Sequence, residues 1–206
     1  MKKISVLFFV LISAQISYSS DFFYSKARFV PDGDTLILTD KIIVRYIGID
    51  SPEINHETGK PQSFALEAKK FNQELVWDKK LKIVPGREKT DSYKRILAYV
   101  YLPDGRMVNR LILDNGLGWV YWHSDNKEYF DEFLDAQKKA MRAGAGLWGQ
   151  IAGLDLPVKI NPESKRFHSF GCKRSGKYSS MEKNPFNAFY KGYSPSRRCI
   201  ENIFEY

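Results

Sequence analysis

Three runs rich in β-branched and apolar residues, 27–30, 35–38 and 42–49, follow one another with only turn formers between them. Pro31-Asp32-Gly33 and Thr39-Asp40-Lys41 punctuate the runs, which read as three consecutive antiparallel strands. A helical pattern then intervenes: Phe64, Ala68, Phe71 and Leu75 recur at intervals of 4, 3 and 4, with Pro61 expected in the first turn. Residues 81–84 and 96–102 are two further strands. Asp104-Gly105 turns the chain into a short helix with Met107, Val108, Leu111 and Ile112 on one face, capped near Gly116. A last helix over residues 127–142 sets Phe130, Phe133, Leu134, Gln137 and Met141 on one side. Five short strands with one helix between the third and fourth match a small Greek-key barrel of the OB type, α+β but mainly β, with three helices.

The 206 residues suffice for one such domain (20–150) and an appendage (151–206), but not for two full-sized domains. With 43% hydrophobic and 15% aromatic residues, a wholly disordered chain is excluded. The net charge of +8 points to polyanionic partners, and its distribution is uneven. Residues 20–150 carry 20 basic and 19 acidic side chains, whereas residues 151–206 carry 10 and 5. That tail is rich in Gly, Pro, Ser, Lys and aromatics and has no sustained periodicity. It is expected to be a small module or partly ordered arm that adds affinity for nucleic acid, dispensable for the fold of the barrel.

Residues 1–19 read as a secretory signal. Lys2 and Lys3 precede an apolar run over residues 4–12, and Ser17 and Ser19 fill the −3 and −1 positions before Ser20. The apolar run is about half the roughly 20 residues needed to span a bilayer, so no stable membrane insertion is expected. The expected product is a secreted or periplasmic protein.

Chemistry concentrates in three stretches: Asp32-Gly33-Asp34-Thr35 at a turn entering a strand, Arg45 through Glu53 running out of one, and Asp91-Ser92-Tyr93-Lys94-Arg95 before the fifth strand. Asp-Gly is common turn chemistry, so each stretch taken singly has an ordinary structural explanation. Together, two Asp and a Glu without a nearby His or Cys describe an oxygen site for a hard cation such as Ca²⁺. Two arginines beside such a site suit attack on a phosphodiester, where charge gathers on the phosphoryl oxygens.

In order and spacing these stretches resemble the staphylococcal nuclease family over residues 22–150. The series is Asp-Gly-Asp-Thr, Arg-x4-Asp-Ser-Pro-Glu, Asp-x-Tyr-x-Arg, Met-Val-Asn opening a helix, Gly-Leu, and the closing Leu147-Trp148. The resemblance implies an OB barrel with Ca²⁺-dependent hydrolysis of DNA and RNA that leaves 3′-phosphate ends, in a protein expected to be a monomer. It implies that Asp34 and Asp50 bind Ca²⁺ through their side chains and Ser51 through its backbone carbonyl. Glu53 would be the general base or water-orienting group, Arg45 and Arg95 the phosphate-binding arginines, and Tyr93 and Trp122 aromatics beside the nucleotide. Lys94 stands where the family commonly has Gly. The alternative is a catalytically inactive OB-fold nucleic-acid-binding protein, which should have lost at least one of Asp34, Arg45, Asp50, Glu53 and Arg95; all five are present.

In the tail, His168-Ser-Phe-Gly-Cys172 and the segment 192–199 ending in Cys199 look like a small cysteine module, related to the metal-binding region of the Ada DNA-repair protein, that some exported members carry. Ser196 takes the place of one of its cysteines. Cys172 and Cys199 are the only cysteines; a disulfide, a degenerate zinc site and two free thiols are the alternatives.

Overall fold

The computed structural model describes residues 22–55, 58–123, 125–172, 180–196 and 203–204. The proposed signal segment, and Cys199, lie outside the described residues. Among the described residues no helix is long and apolar enough to cross a membrane.

Five strands close into a barrel in the order β1-β2-β3-β6-β5: β1 (Phe23–Asp32), β2 (Thr35–Leu38), β3 (Ile43–Tyr46), β5 (Lys80–Thr90) and β6 (Ile96–Tyr101). The first three form the antiparallel meander, β3 and β6 run parallel, and β5 closes the barrel antiparallel to both β6 and β1. This is the OB barrel. Its interior is filled by Leu36, Leu38, Val44, Leu81, Ile83 and Val100, all fully buried.

The third run, expected to be one strand over residues 42–49, is divided. Gly48 takes a φ of +78°, and a Cβ there would lie 2.8 Å from the Phe133 ring, so only glycine fits without displacing the aromatic. The chain bends at that point and resumes as β4 (Ile49–Asp50), which leaves the barrel to pair with β7 (Trp119–Val120). The bend sets Arg45 on the barrel and Asp50 on the small β4/β7 ribbon.

Helix α1 (Ala65–Val76) starts four residues later than the proline rule placed it. Pro61 instead bridges Ile54 at the base of a loop that the Asn55 N–H closes onto the Lys60 carbonyl. Phe64 enters the helix in the left-handed region. The buried face is Ala65, Ala68, Asn72 and Val76, with Phe71 and Leu75 only partly covered. Small side chains bring the helix close to the β1–β2 turn: a Cβ on Gly33 would sit 2.7 Å from that of Ala68. Helix α2 (Val108–Asp114) ends at Gly116, which has the left-handed φ of a C-terminal cap, and α3 (Phe130–Arg142) buries Phe133, Gln137 and Met141.

The tail differs most from expectation. After the short α4 (Trp148–Ile151) it forms a second sheet of order β10-β8-β9-β11, from β8 (Val158–Asn161), β9 (Arg166–Ser169), β10 (Ser180–Glu182) and β11 (Ser194–Pro195), with α5 (Pro185–Tyr190) against it. Val158, Ile160, Phe167, Ala188, Phe189, Ile203 and Phe204 share one core with Trp119, Ala140, Met141, Leu147 and Trp148. Trp119 stacks on Phe204 at 4.8 Å, and the Phe189 ring meets both Trp148 and Phe167 edge-on. Each fully buried side chain of this size contributes about 1.5–3 kcal/mol. The extension therefore covers apolar surface that α3, α4 and β7 would otherwise show to water, and a chain ending at Gln150 would lose that cover. Local periodicity misses it because its strands are two to four residues long and their apolar faces are completed by the barrel. Cys172 is disulfide-bonded.

Candidate active site

The first functional stretch is a turn between β1 and β2. The Asp34 amide donates to the Asp32 carboxylate at 3.1 Å, and the Asp34 carbonyl accepts from the Tyr46 N–H at 2.9 Å. Both contacts hold the Asp34 side chain toward β3, where Arg45 pairs across the strands with Thr35. The Arg45 Nη2 lies 3.0 Å from Asp34 Oδ2 and 2.6 Å from Asp50 Oδ1, while Nη1 donates to the carbonyls of Tyr46 and Ile49 at 3.0 and 2.9 Å. The remaining Asp34 oxygen accepts from the Thr35 hydroxyl at 3.0 Å, and Oδ2 also accepts from the Ser51 N–H at 2.9 Å. Asp34, Arg45, Asp50 and Ser51 are all buried. Two buried carboxylates about one guanidinium leave an excess negative charge, which the arginine bonds and the Thr35 and Ser51 donors offset.

Buried amides hold this cluster in place. Asn72 on α1 accepts from the Tyr46 hydroxyl at 2.8 Å and donates to the Asp32 carbonyl at 3.0 Å. Burial pushes the Tyr46 hydroxyl well above its ordinary range, which keeps it a donor. Asn109 on α2 donates to the Ile47 carbonyl and accepts from the Val100 N–H, tying the bend after β3 to β6.

Arg45 also lines a cavity of about 230 Å³. Its other walls include Tyr93 and Arg95 from the β5–β6 hairpin, and Tyr121, His123 and Asn126 from the segment after β7. In the hairpin, Asp91 Oδ1 accepts from the backbone N–H groups of Tyr93 and Arg95, and Oδ2 accepts from Arg95 Nε at 2.7 Å. Burial works to raise the Asp91 carboxyl, but the hydrogen bonds from Arg95 and Tyr93 outweigh it and the net shift is downward. The guanidinium lies 5.5 Å from the Tyr93 ring centroid, and Tyr93 is 79% exposed. Lys94 adopts φ +61°, the conformation that glycine would take without cost. His123 meets Glu88 at 3.2 Å, and Asn126 both donates to and accepts from the Glu88 backbone, locking this wall to β5.

Residues 43–150 match the model of the family described as "Staphylococcal nuclease homologue". The chain belongs to the staphylococcal nuclease family. It is 35% identical over 124 residues to the SPbeta prophage-derived endonuclease YokF of Bacillus subtilis (strain 168), covering 58% of this chain and 42% of that protein. To the endonuclease YncB of the same organism it is 34% identical over 124 residues, 58% of each chain. To the thermonuclease of Staphylococcus hyicus it is 29% identical over 139 residues, 66% of this chain and 81% of the other. The chain thus spans about half the length of the two Bacillus endonucleases.

Measured against the staphylococcal nuclease resemblance, the site residues divide into groups. Asp34, Arg45, Asp50 and Ser51 form one bonded cluster; Arg45, Tyr93 and Arg95 face one cavity. Glu53 lies exposed in the loop beyond Ser51, outside the cavity lining, with its amide donating to the Gln62 side chain at 2.8 Å and its carbonyl accepting from the Gln62 N–H at 2.9 Å. Trp122 does not line the cavity either. It packs edge-on against Phe130 at 4.7 Å, and the aromatic presented to the cavity is its neighbour Tyr121. Alternation along the extended chain after β7 sends the two rings to different sides. Sequence reasoning also passed over His123 and the buried amides Asn72 and Asn126, and it placed Asn109 and Gln137 on their helices without the backbone bonds they make. For Asn72 the signal was present: it falls between Ala68 and Val76 on the helical face, where a polar residue implies a buried partner. Nothing local marks Asn126.

Proposed function

We propose that the protein is a Ca²⁺-dependent nuclease that hydrolyses phosphodiester bonds of DNA and RNA, leaves 3′-phosphate ends, and works as a monomer outside the cytoplasm. The observation that carries the reading is the placing of Arg45 between two buried carboxylates at a cavity that Arg95 also faces. Relatives named endonuclease and thermonuclease support the reaction class. The segment over residues 1–19 supports export.

The donor chemistry fits a hard divalent cation. Asp34 and Asp50 approach one guanidinium nitrogen from two sides, with the Ser51 backbone adjoining, and none of these ligands is nitrogen or sulfur. Asp34, Asp50 and the Ser51 carbonyl would hold the ion. When bound, Ca²⁺ supplies Lewis-acid stabilisation of the charge that develops on the phosphoryl oxygens.

The chain's own groups do the remainder. Arg45 is already desolvated and oriented by the carbonyls of Tyr46 and Ile49, and its Nη2 would become the donor to a phosphate oxygen once Asp34 and Asp50 turn to the cation. Asp91 grips Arg95 by Nε, and its terminal nitrogens are the donors for a phosphate from the other wall. Glu53, three residues beyond Asp50, would orient the attacking water or take its proton. Tyr93 and Tyr121 offer ring faces to the nucleoside.

The test is cleavage of single- and double-stranded DNA and RNA by the full chain with Ca²⁺ and with EGTA, followed by end-labelling of the products. Cutting of both nucleic acids, lost on chelation, with 3′-phosphate ends is expected. Cleavage of RNA alone, or equal cleavage in EGTA, would overturn the reading. Glu53→Gln is expected to lower kcat about 10²-fold with the melt unchanged.

A further inference from the structure

The cavity is lined by the barrel domain, but one of its lining residues, Tyr121, is backed by the extension. Arg166, at the start of β9, belongs to the extension, outside the residues that match the family model. Its guanidinium carbon lies 3.8 Å from the centroid of the Tyr121 ring, the closest cation–aromatic approach among the described residues. Nη1 donates to the Ser194 hydroxyl at 2.8 Å, and that serine is fully buried. Nη2 points to the carbonyl of Trp122 at 3.4 Å. Ser194 is in turn fixed by its β-pairing with Arg166 and by its N–H donating to the Lys165 carbonyl. Arg166 is thus gripped from the extension and set against a ring of the barrel. It does not line the cavity itself; Tyr121 does.

We infer that Arg166 is a positioning residue of the substrate site: the extension sets the Tyr121 wall of the cavity, and through it the binding of the nucleoside next to the reacting phosphate. This rests on the nuclease reading given above. A guanidinium on a tyrosine face restrains the ring and makes its orientation depend on a planar, bidentate donor. Arg166 meets this description, because Nη1 is held by Ser194 and Nη2 reaches the Trp122 carbonyl while the guanidinium carbon lies over Tyr121. A lysine would keep the charge and lose the planar fork that reaches the Lys165 carbonyl, the Ser194 hydroxyl and the Trp122 carbonyl together. The extension then acts on the step in which a nucleotide seats, and the charge of its surface lysines is a separate contribution.

The experiment uses the full chain and a short fluorescent oligothymidylate as probe. Steady-state kinetics in Ca²⁺ give kcat and KM, anisotropy in EGTA gives Kd without cleavage, and a thermal melt controls for folding. Arg166→Met is expected to raise KM and Kd about 10-fold, in the range of a partly desolvated cation–π contact, with kcat within twofold and the melt shifted little. Arg166→Lys should recover less than half of the loss on a logarithmic scale. Tyr121→Leu should cost a similar factor, and adding Arg166→Met to it should cost nothing more, since the arginine acts through the ring. Additive losses would overturn the inference. So would full recovery by Arg166→Lys, which marks a simple charge effect, or a fall in kcat together with the melt, which marks a structural role. A wild type that binds the probe but does not cut nucleic acid would remove the nuclease reading and leave the Arg166 effect on Kd to be judged by the same variants.

Discussion

The wall of the cavity that carries Arg45 and the hairpin that carries Arg95 are built on different terms. Arg45 is 7% exposed and is fixed by two carboxylates and two backbone carbonyls drawn from the contiguous segment 34–50. Arg95 is partly exposed, and its anionic partner among the described residues, Asp91, lies in the same five-residue turn. The first arginine is part of how the barrel, the β4 ribbon and the Asp34 turn hold together; the second is held, among the described residues, by its own turn. Two groups that would do similar chemistry on a phosphate therefore have very different weight in the fold.

The largest effect should come from Arg45→Ala. Loss of a preorganised donor is expected to lower kcat by about 10²–10³. Asp34 and Asp50 would also lose the guanidinium that they share in a buried site, at a cost of about 3–5 kcal/mol. Calorimetry should show a lower melting temperature in EGTA, and Ca²⁺ should raise it more for the variant than for the wild type. An unchanged melt would break the distinction between the two walls. Arg95→Ala is expected to lower kcat about 10²-fold while the melt stays within about 1 kcal/mol of wild type, as for surface pairs; a large loss of stability would put the hairpin on the same footing as the barrel wall.

Asp91→Asn sharpens the point with pH. The folded pKa of Asp91 is depressed below the unfolded value of about 3.9, so the Asp91–Arg95 turn stabilises the protein above that pH, and the gain is lost as pH falls through the folded value. The gap in melting temperature between wild type and Asp91→Asn should be constant from about pH 5 to 8 and close below about pH 4. A gap that instead widens with acid would reverse the sign. The smallest effect belongs to Lys94→Gly. At φ +61° a lysine pays a left-handed penalty that glycine avoids, so a gain of about 0.5–1 kcal/mol is expected, with kcat within twofold.

The same division governs what the sequence discloses. The meander, α2 and α3 are legible because each carries its own pattern, and Asp34, Arg45 and Asp50 because they sit at fixed spacing in two neighbouring stretches. The bend at Gly48 is not legible, since its cause is the Phe133 ring, 85 residues away along the chain. Nor is the start of α1 at Ala65: Pro61 looks like a helix opener until the loop it bridges to Ile54 is known. Arg45 reads as a phosphate ligand, and its grip on both carboxylates appears only when β2, β3 and β4 are assembled. The extension reads only as a small module or a partly ordered arm because its apolar residues find their partners on β7, α3 and α4.

Gln137 spends both ends of its amide on backbone, accepting from the Val120 N–H at 2.6 Å and donating to the Phe189 carbonyl at 2.6 Å. Val120 pairs with Ile49 in the ribbon that also carries Asp50, and Phe189 belongs to the core of the extension. The Val120 proton is therefore released to solvent deuterium only when the α3 amide lets go, and undocking of the extension removes half of what holds that amide in place. Its exchange rate, set against that of barrel amides such as Val100, measures how often the extension leaves, and does so at a residue one step from the ring of Tyr121.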